Sequence, residues 1–183
     1  NLVQFAQMGS IYMENICKVK NPKVGLVNIG AEEEKGNNLA KETYQLLSNL
    51  EGINFIGNIE AREIPEGKAD VVVCDAFVGN VILKMYEGVG GVLLKKVKGT
   101  LMTSLKTKIG ALLIKKELKE TLKTFQMDQY GGAPLLGLKG LVVKTHGNSK
   151  AIEVKNSIIQ CISFKEMNIN DKISKKLAVK KEN

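Results

Sequence analysis

Between positions 69 and 74 the chain reads Ala69-Asp-Val-Val-Val-Cys74, an apolar stretch with almost no alternation. A strand that alternates can leave one face in water. A strand that is apolar throughout must be covered on both faces, the condition of a parallel sheet between helices. Val24 to Ile29 has the same character, and Ile53 to Gly57 and Leu141 to Lys144 read as further strands. Between them the period changes. Leu2, Phe5, Ala6, Gly9, Met13 and Ile16 recur at helical spacing and predict a helix over 2–17, ended by Asn21-Pro22. Further helices are expected over 38–50, along the stripe from Val78 to Leu93, and from near Ser149. Gly88, Gly90 and Gly91 interrupt the long stripe and predict close helix contact or a kink. Strands alternating with helices specify right-handed crossovers, and so a three-layer α/β/α sandwich with a mostly parallel sheet. Residues 98–126 depart from this rhythm and read as a projecting helical pair. The expected organisation is one α/β domain over 1–165, followed by a polar basic tail over 166–183.

Composition narrows the function. The chain has 183 residues, enough for one sizeable core, and a net charge of +8. The segment Val92 to Phe125 holds nine lysines against Glu117 and Glu120, so +7 of that charge is local. Such a surface suits a solvated face, an acidic partner or an anionic membrane. Nucleic acid is disfavoured, because Arg62 is the one arginine and aromatic residues do not interleave with the lysines. Cys17, Cys74 and Cys161 lie far apart and form no metal-ligand spacing with His146, the lone histidine, so no metal and no cofactor is expected. No uncharged apolar run of about 18 residues occurs, so no spanning helix is expected.

In open α/β sheets, sites form where strands end and helices begin. Three such junctions carry polar groups. After the first strand comes Gly30-Ala-Glu-Glu-Glu-Lys-Gly-Asn37. Its Lys35 precedes Gly36, so the order of a triphosphate loop is missing, and three acids would repel such a ligand. After the third strand comes Cys74-Asp-Ala-Phe-Val-Gly-Asn80, with Lys84 one turn on. Asp75 can cap the helix, Gly79 admits a ligand to the backbone, and Asn80 and Lys84 share a face suited to an oxyanion or phosphate. The third junction is Lys144-Thr-His-Gly-Asn-Ser149, with His146, Asn148 and Ser149 around a glycine. No nucleophile elbow occurs, so the chemistry expected is binding and polarisation without a covalent intermediate.

Four phrases carry a family resemblance: Val24 to Asn37, Ala69 to Asn80, Tyr130-Gly-Gly-Ala-Pro-Leu-Leu-Gly-Leu138 and Lys144 to Ser149. Together they resemble the PlsX family, the phosphate acyltransferases of bacterial phospholipid synthesis, over residues 1 to about 165. Members of that family are roughly twice as long, so the resemblance implies that this chain is a C-terminal half. It implies a fold like that of the isopropylmalate dehydrogenase and phosphotransacetylase groups. The implied reaction is attack of inorganic phosphate on the thioester of acyl carrier protein, giving acyl phosphate without a cofactor.

In that setting His146, Asn80 and Asn148 are the candidate catalytic groups. Lys84, Gly79, Asp75, Ser149, Lys35 and Asn37 are the candidate substrate-binding groups. The resemblance further implies a homodimer, a cytoplasmic protein with transient contact to anionic membrane, and a downstream membrane acyltransferase that consumes the product. Two rival readings remain open here: a phosphate acetyl- or butyryltransferase using coenzyme A thioesters, and a non-catalytic scaffold that binds carrier protein or membrane. A nicotinamide dehydrogenase is disfavoured, since no GxGxxG follows a strand.

Overall fold

The computed structural model describes residues 1–123, 131–147 and 149–178. Helix α1 (Leu2–Asn15) is followed by strand β1 (Lys23–Asn28), helix α2 (Asn38–Ser48) and strand β2 (Asn54–Glu60). A 3-10 turn over Ala61–Glu63 leads on to strand β3 (Val71–Val73) and helix α3 (Ala76–Leu101). Then come α4 (Leu105–Leu113), α5 (Lys115–Lys123), β4 (Ala133–Pro134), β5 (Val143–Lys144), α6 (Ala151–Glu166) and α7 (Ile169–Ala178). The fold is α/β, as the alternation of apolar runs and helical stripes predicts.

The three long strands form a parallel sheet in the order β2-β1-β3. Val24 and Leu26 of β1 and Val71 and Val73 of β3 project to one face. There they meet Leu2 and Ala6 of α1 and Leu47 of α2. Helix α1 is apolar on two sides. Its Met8 joins a second cluster with Phe164 of α6 and Ile169 and Ile173 of α7. On the opposite face of the sheet Val72 stays 36% exposed.

Strand β2 carries an irregularity. Val24 pairs with Phe55 and Leu26 with Asn58, so β2 spends one more residue than β1 over the same span. The extra residue coincides with Gly57 at φ +91°, a conformation that costs glycine little. Beyond the bulge, Asn58 lies on the face of Leu26, and Ile59 turns to the opposite face, where it packs over the bare Gly25.

Several expectations are corrected. The segment 141–144 does not extend the parallel sheet; its Val143 and Lys144 pair antiparallel with Ala133–Pro134 in a separate ladder. Residues 166–178 are no polar tail, because α7 buries Ile169 and Ile173; residues 179–183 lie outside the described residues. The glycines of α3 produce no break: the helix runs unbroken for 26 residues, and a Cβ at Gly88, Gly90 or Gly91 would meet nothing within 4 Å. None of its residues is buried. Contrary to the expectation of no spanning helix, α3 is long and apolar enough to cross a membrane, by length and composition alone. The segment expected to project comprises the end of α3, then α4, started by a Ser104 and Thr107 capping box, then α5. Residues 124–126 of the expected projection lie outside the described residues.

Candidate active site

The chain leaves β1 through α2 to reach β2 on one side, and later enters β3 on the other. The carboxyl ends of β1 and β3 therefore flank a topological switch point, where open sheets form clefts. A cavity of about 290 Å³ lies there. Its walls include Asn28 and Ile29 at the end of β1, Gly36 and Asn37 before α2, Cys74 and Asp75 after β3, and Val78 and Ile82 of α3.

Two helices start at this cavity, each with a side-chain cap. Asn37 Oδ1 accepts from the Ala40 amide at 2.9 Å, and Asp75 Oδ1 accepts from the Val78 amide at 2.9 Å. Helix starts carry partial positive charge and amides without intrahelical acceptors. In α3 those are the amides of Ala76 and Phe77, because Gly79 already donates to the Asp75 carbonyl at 3.0 Å. Asn80, expected at the helix start, is the fifth residue of α3, so its amide N–H is spent within the helix and only its exposed side chain is available.

The loop between β1 and α2 is held from below by two asparagines. Asn28 Nδ2 donates to the Lys35 carbonyl at 2.9 Å, while its Oδ1 accepts from the Ile29 amide at 2.8 Å. Asn58 Nδ2 donates to the Glu32 carbonyl at 2.8 Å, and Asn58 is only 3% exposed. These tethers hold the backbone and leave the side chains of Glu32, Glu33, Glu34 and Lys35 exposed. Neither asparagine stands out in the sequence. The signal for Asn58 is Gly57, since a glycine inside a strand pattern marks a bulge.

Asn37 and Asp75 thus face one cavity. Asn80, Lys84 and His146 are not among its walls. Lys84 Nζ donates to Glu87 Oε2 at 2.8 Å, and both side chains are largely exposed. Lys84 holds the Glu87 carboxyl below its ordinary range, and the charge of His146 adds a smaller push the same way. His146 therefore lies within electrostatic reach of the Lys84–Glu87 pair. Asn80, Lys84 and Glu87 follow the four- and three-residue spacing of one helix face. Ser149 donates its amide to the His146 carbonyl at 3.0 Å, closing a turn. Asn148 lies outside the described residues. Lys35 is exposed, its side chain lying over Gly30. Gly79 packs close to Cys74, whose sulfur would sit 3.0 Å from a Cβ there. Burial pushes the Cys74 thiol up, and the Asp75 charge adds to it. Among the described residues no group of three His, Cys, Asp or Glu could hold a metal ion.

Residues 1–172 match the family described as "Fatty acid synthesis protein". The phosphate acyltransferase of Clostridium novyi is 53% identical over 173 residues, covering 94% of this chain and 52% of that protein. The phosphate acyltransferase of Clostridium acetobutylicum is 52% identical over 176 residues, covering 96% of this chain and 53% of that protein. That of Acetivibrio thermocellus is 51% identical over 173 residues, covering 94% and 51%. The chain spans about half the length of the curated relatives it matches. The resemblance read from the four phrases is borne out by these matches: the chain belongs to the fatty acid synthesis protein family, the family of the PlsX phosphate acyltransferases.

Proposed function

We propose that this chain supplies the carboxyl-end cleft of a phosphate acyltransferase that moves a fatty acyl group from acyl carrier protein to inorganic phosphate. The observation that carries the reading is the convergence of two capped helix starts, at Asn37 and Asp75, on one cavity at the sheet switch point. Relatives named phosphate acyltransferase support acyl transfer to phosphate as the reaction.

Phosphate is ionised near neutral pH, so it needs positioning more than activation. Lys84 can release Glu87 for a phosphate at small cost, because an exposed ion pair is worth about 0–1 kcal/mol. A phosphate oxygen attacks the thioester carbonyl, a C–O bond forms, and the carbonyl oxygen takes up the charge. The candidates to donate to that oxyanion are Asn80, His146 and Asn148, with Ser149 as a further substrate-binding group. Removing one such donor typically costs about 10²–10³ in rate. The C–S bond then breaks and the thiolate leaves, with His146 as its proton source. Asn37, Gly79, Asp75 and Lys35 are the remaining substrate-binding groups of this reading.

The lysines of α3 to α5 suit docking of an acidic carrier protein, where complementary charge speeds and orients encounter. The unburied apolar face of α3 and the exposed Leu105, Leu112 and Leu113 of α4 suit a homodimer contact or transient attachment of a cytoplasmic protein to anionic membrane, close to a membrane enzyme that uses the product. Replacing His146 or Asn80 with Ala is expected to cut acyl phosphate formation at least tenfold with the fold intact, and unchanged turnover removes the residue from the site. Offering acyl carrier protein and coenzyme A thioesters side by side decides the donor.

A further inference from the structure

The geometry points to the cavity between α2 and α3 as the seat of the fatty acyl chain itself, with the chain end inside and the reacting carbonyl at the rim. This inference rests on the acyltransferase reading above and adds the location of the hydrocarbon.

The wall is graded. Leu2 and Leu26, 7% and 1% exposed, form the floor, and Ile29 and Leu39, 80% and 47% exposed, form the rim. Val78 and Ile82 of α3 close the side. The polar groups Asn28, Asn37 and Asp75 also line the cavity, two of them as the caps at the starts of α2 and α3. The occupant this arrangement suits is apolar along its length and carries a polar head. Inorganic phosphate alone leaves the apolar wall unused. An apolar side chain as exposed as Ile29, directly at a strand end, gains from a ligand that covers it. At about 290 Å³ the space lies near the lower end of ligand pockets and far above a packing void.

The test uses the full 183-residue chain and a series of n-alkyl phosphates from ethyl to dodecyl, titrated by calorimetry below their micelle concentrations. Each added methylene should tighten binding about fourfold while hydrocarbon is being buried, with a plateau once the cavity is full. Ala40→Phe and Val78→Phe, each narrowing the cavity, should move the plateau to shorter chains; melting curves check that both variants fold. Affinity that ignores chain length overturns the proposal. So does a plateau that stays put in both folded variants, which would mark adsorption to the apolar face of α3. If binding follows chain length but His146→Ala and Asn80→Ala leave acyl phosphate formation by the enzyme unchanged, the catalytic reading fails and the chain pocket stands. If acyl phosphate forms while binding ignores length, the pocket fails and the catalytic reading stands.

Discussion

Replacing Gly36 with Ala strikes the loop that walls the cavity. Gly36 has φ +90°, and a Cβ there would overlap Asn28 Oδ1 and sit 3.0 Å from the Ala40 Cβ. Holding an L residue in left-handed backbone costs about 1–2 kcal/mol. Asn28 would also have to withdraw. It would lose the bonds it makes to the Lys35 carbonyl and accepts from the Ile29 amide, each worth roughly 0.5–1.5 kcal/mol. The sum is about 3 kcal/mol, a large share of the 5–15 kcal/mol that holds a typical protein folded. For a chain of 183 residues this lowers the melting temperature by roughly 6–12 °C. The assay is a thermal melt followed by circular dichroism, with Gly88→Ala as the control. Gly88 lies in α3 with open space around it, so alanine there should stabilise by roughly 0.5–1 kcal/mol. If Gly36→Ala melts within about 2 °C of the parent, the loop is not clamped by Asn28 and the cavity wall is not preformed.

Ile169→Ala should destabilise the chain by roughly 2–5 kcal/mol, because Ile169 is fully buried against Met8 and Phe164; a denaturation midpoint unchanged from the parent would return 166–178 to the status of a tail. Cys74 should be a slow thiol. Its raised pKa keeps it protonated at neutral pH, so alkylation by iodoacetamide, followed by mass spectrometry, should still be accelerating above pH 9, and a rate that levels off below pH 8 contradicts the assigned environment.

What the sequence reveals here depends on whether the signal is local. β1 and β3 are legible because Val24 to Asn28 and Val71 to Val73 lie in predominantly apolar runs of strand length. The cap Asp75 is legible because it sits between an apolar strand run and a helical stripe. The end of β2 is not. Counting by twos stops at Gly57, and the strand resumes with its faces exchanged, so Asn58 gives no hint that it turns inward to hold Glu32. Helix α7 hides for a different reason: Ile169, Ile173 and Leu177 keep helical spacing, yet Lys172, Lys175 and Lys176 between them make the stretch look solvated. β5 falls within the run Leu141 to Lys144 that reads as a strand, but its partner β4 is two residues long, too short for any period to register. Asn80 is displaced because the helix begins at Ala76, a boundary set by the Asp75 carboxylate rather than by hydrophobic period.

The bulge at Gly57 also governs how this sheet can grow. A kinked border with a skipped pairing step is a poor template for another backbone, which is how many proteins keep their margins from sticking. β3, short and regular, presents the opposite margin, with Val72 still partly open. The two margins therefore differ in how readily they accept another backbone, and a single glycine makes the difference.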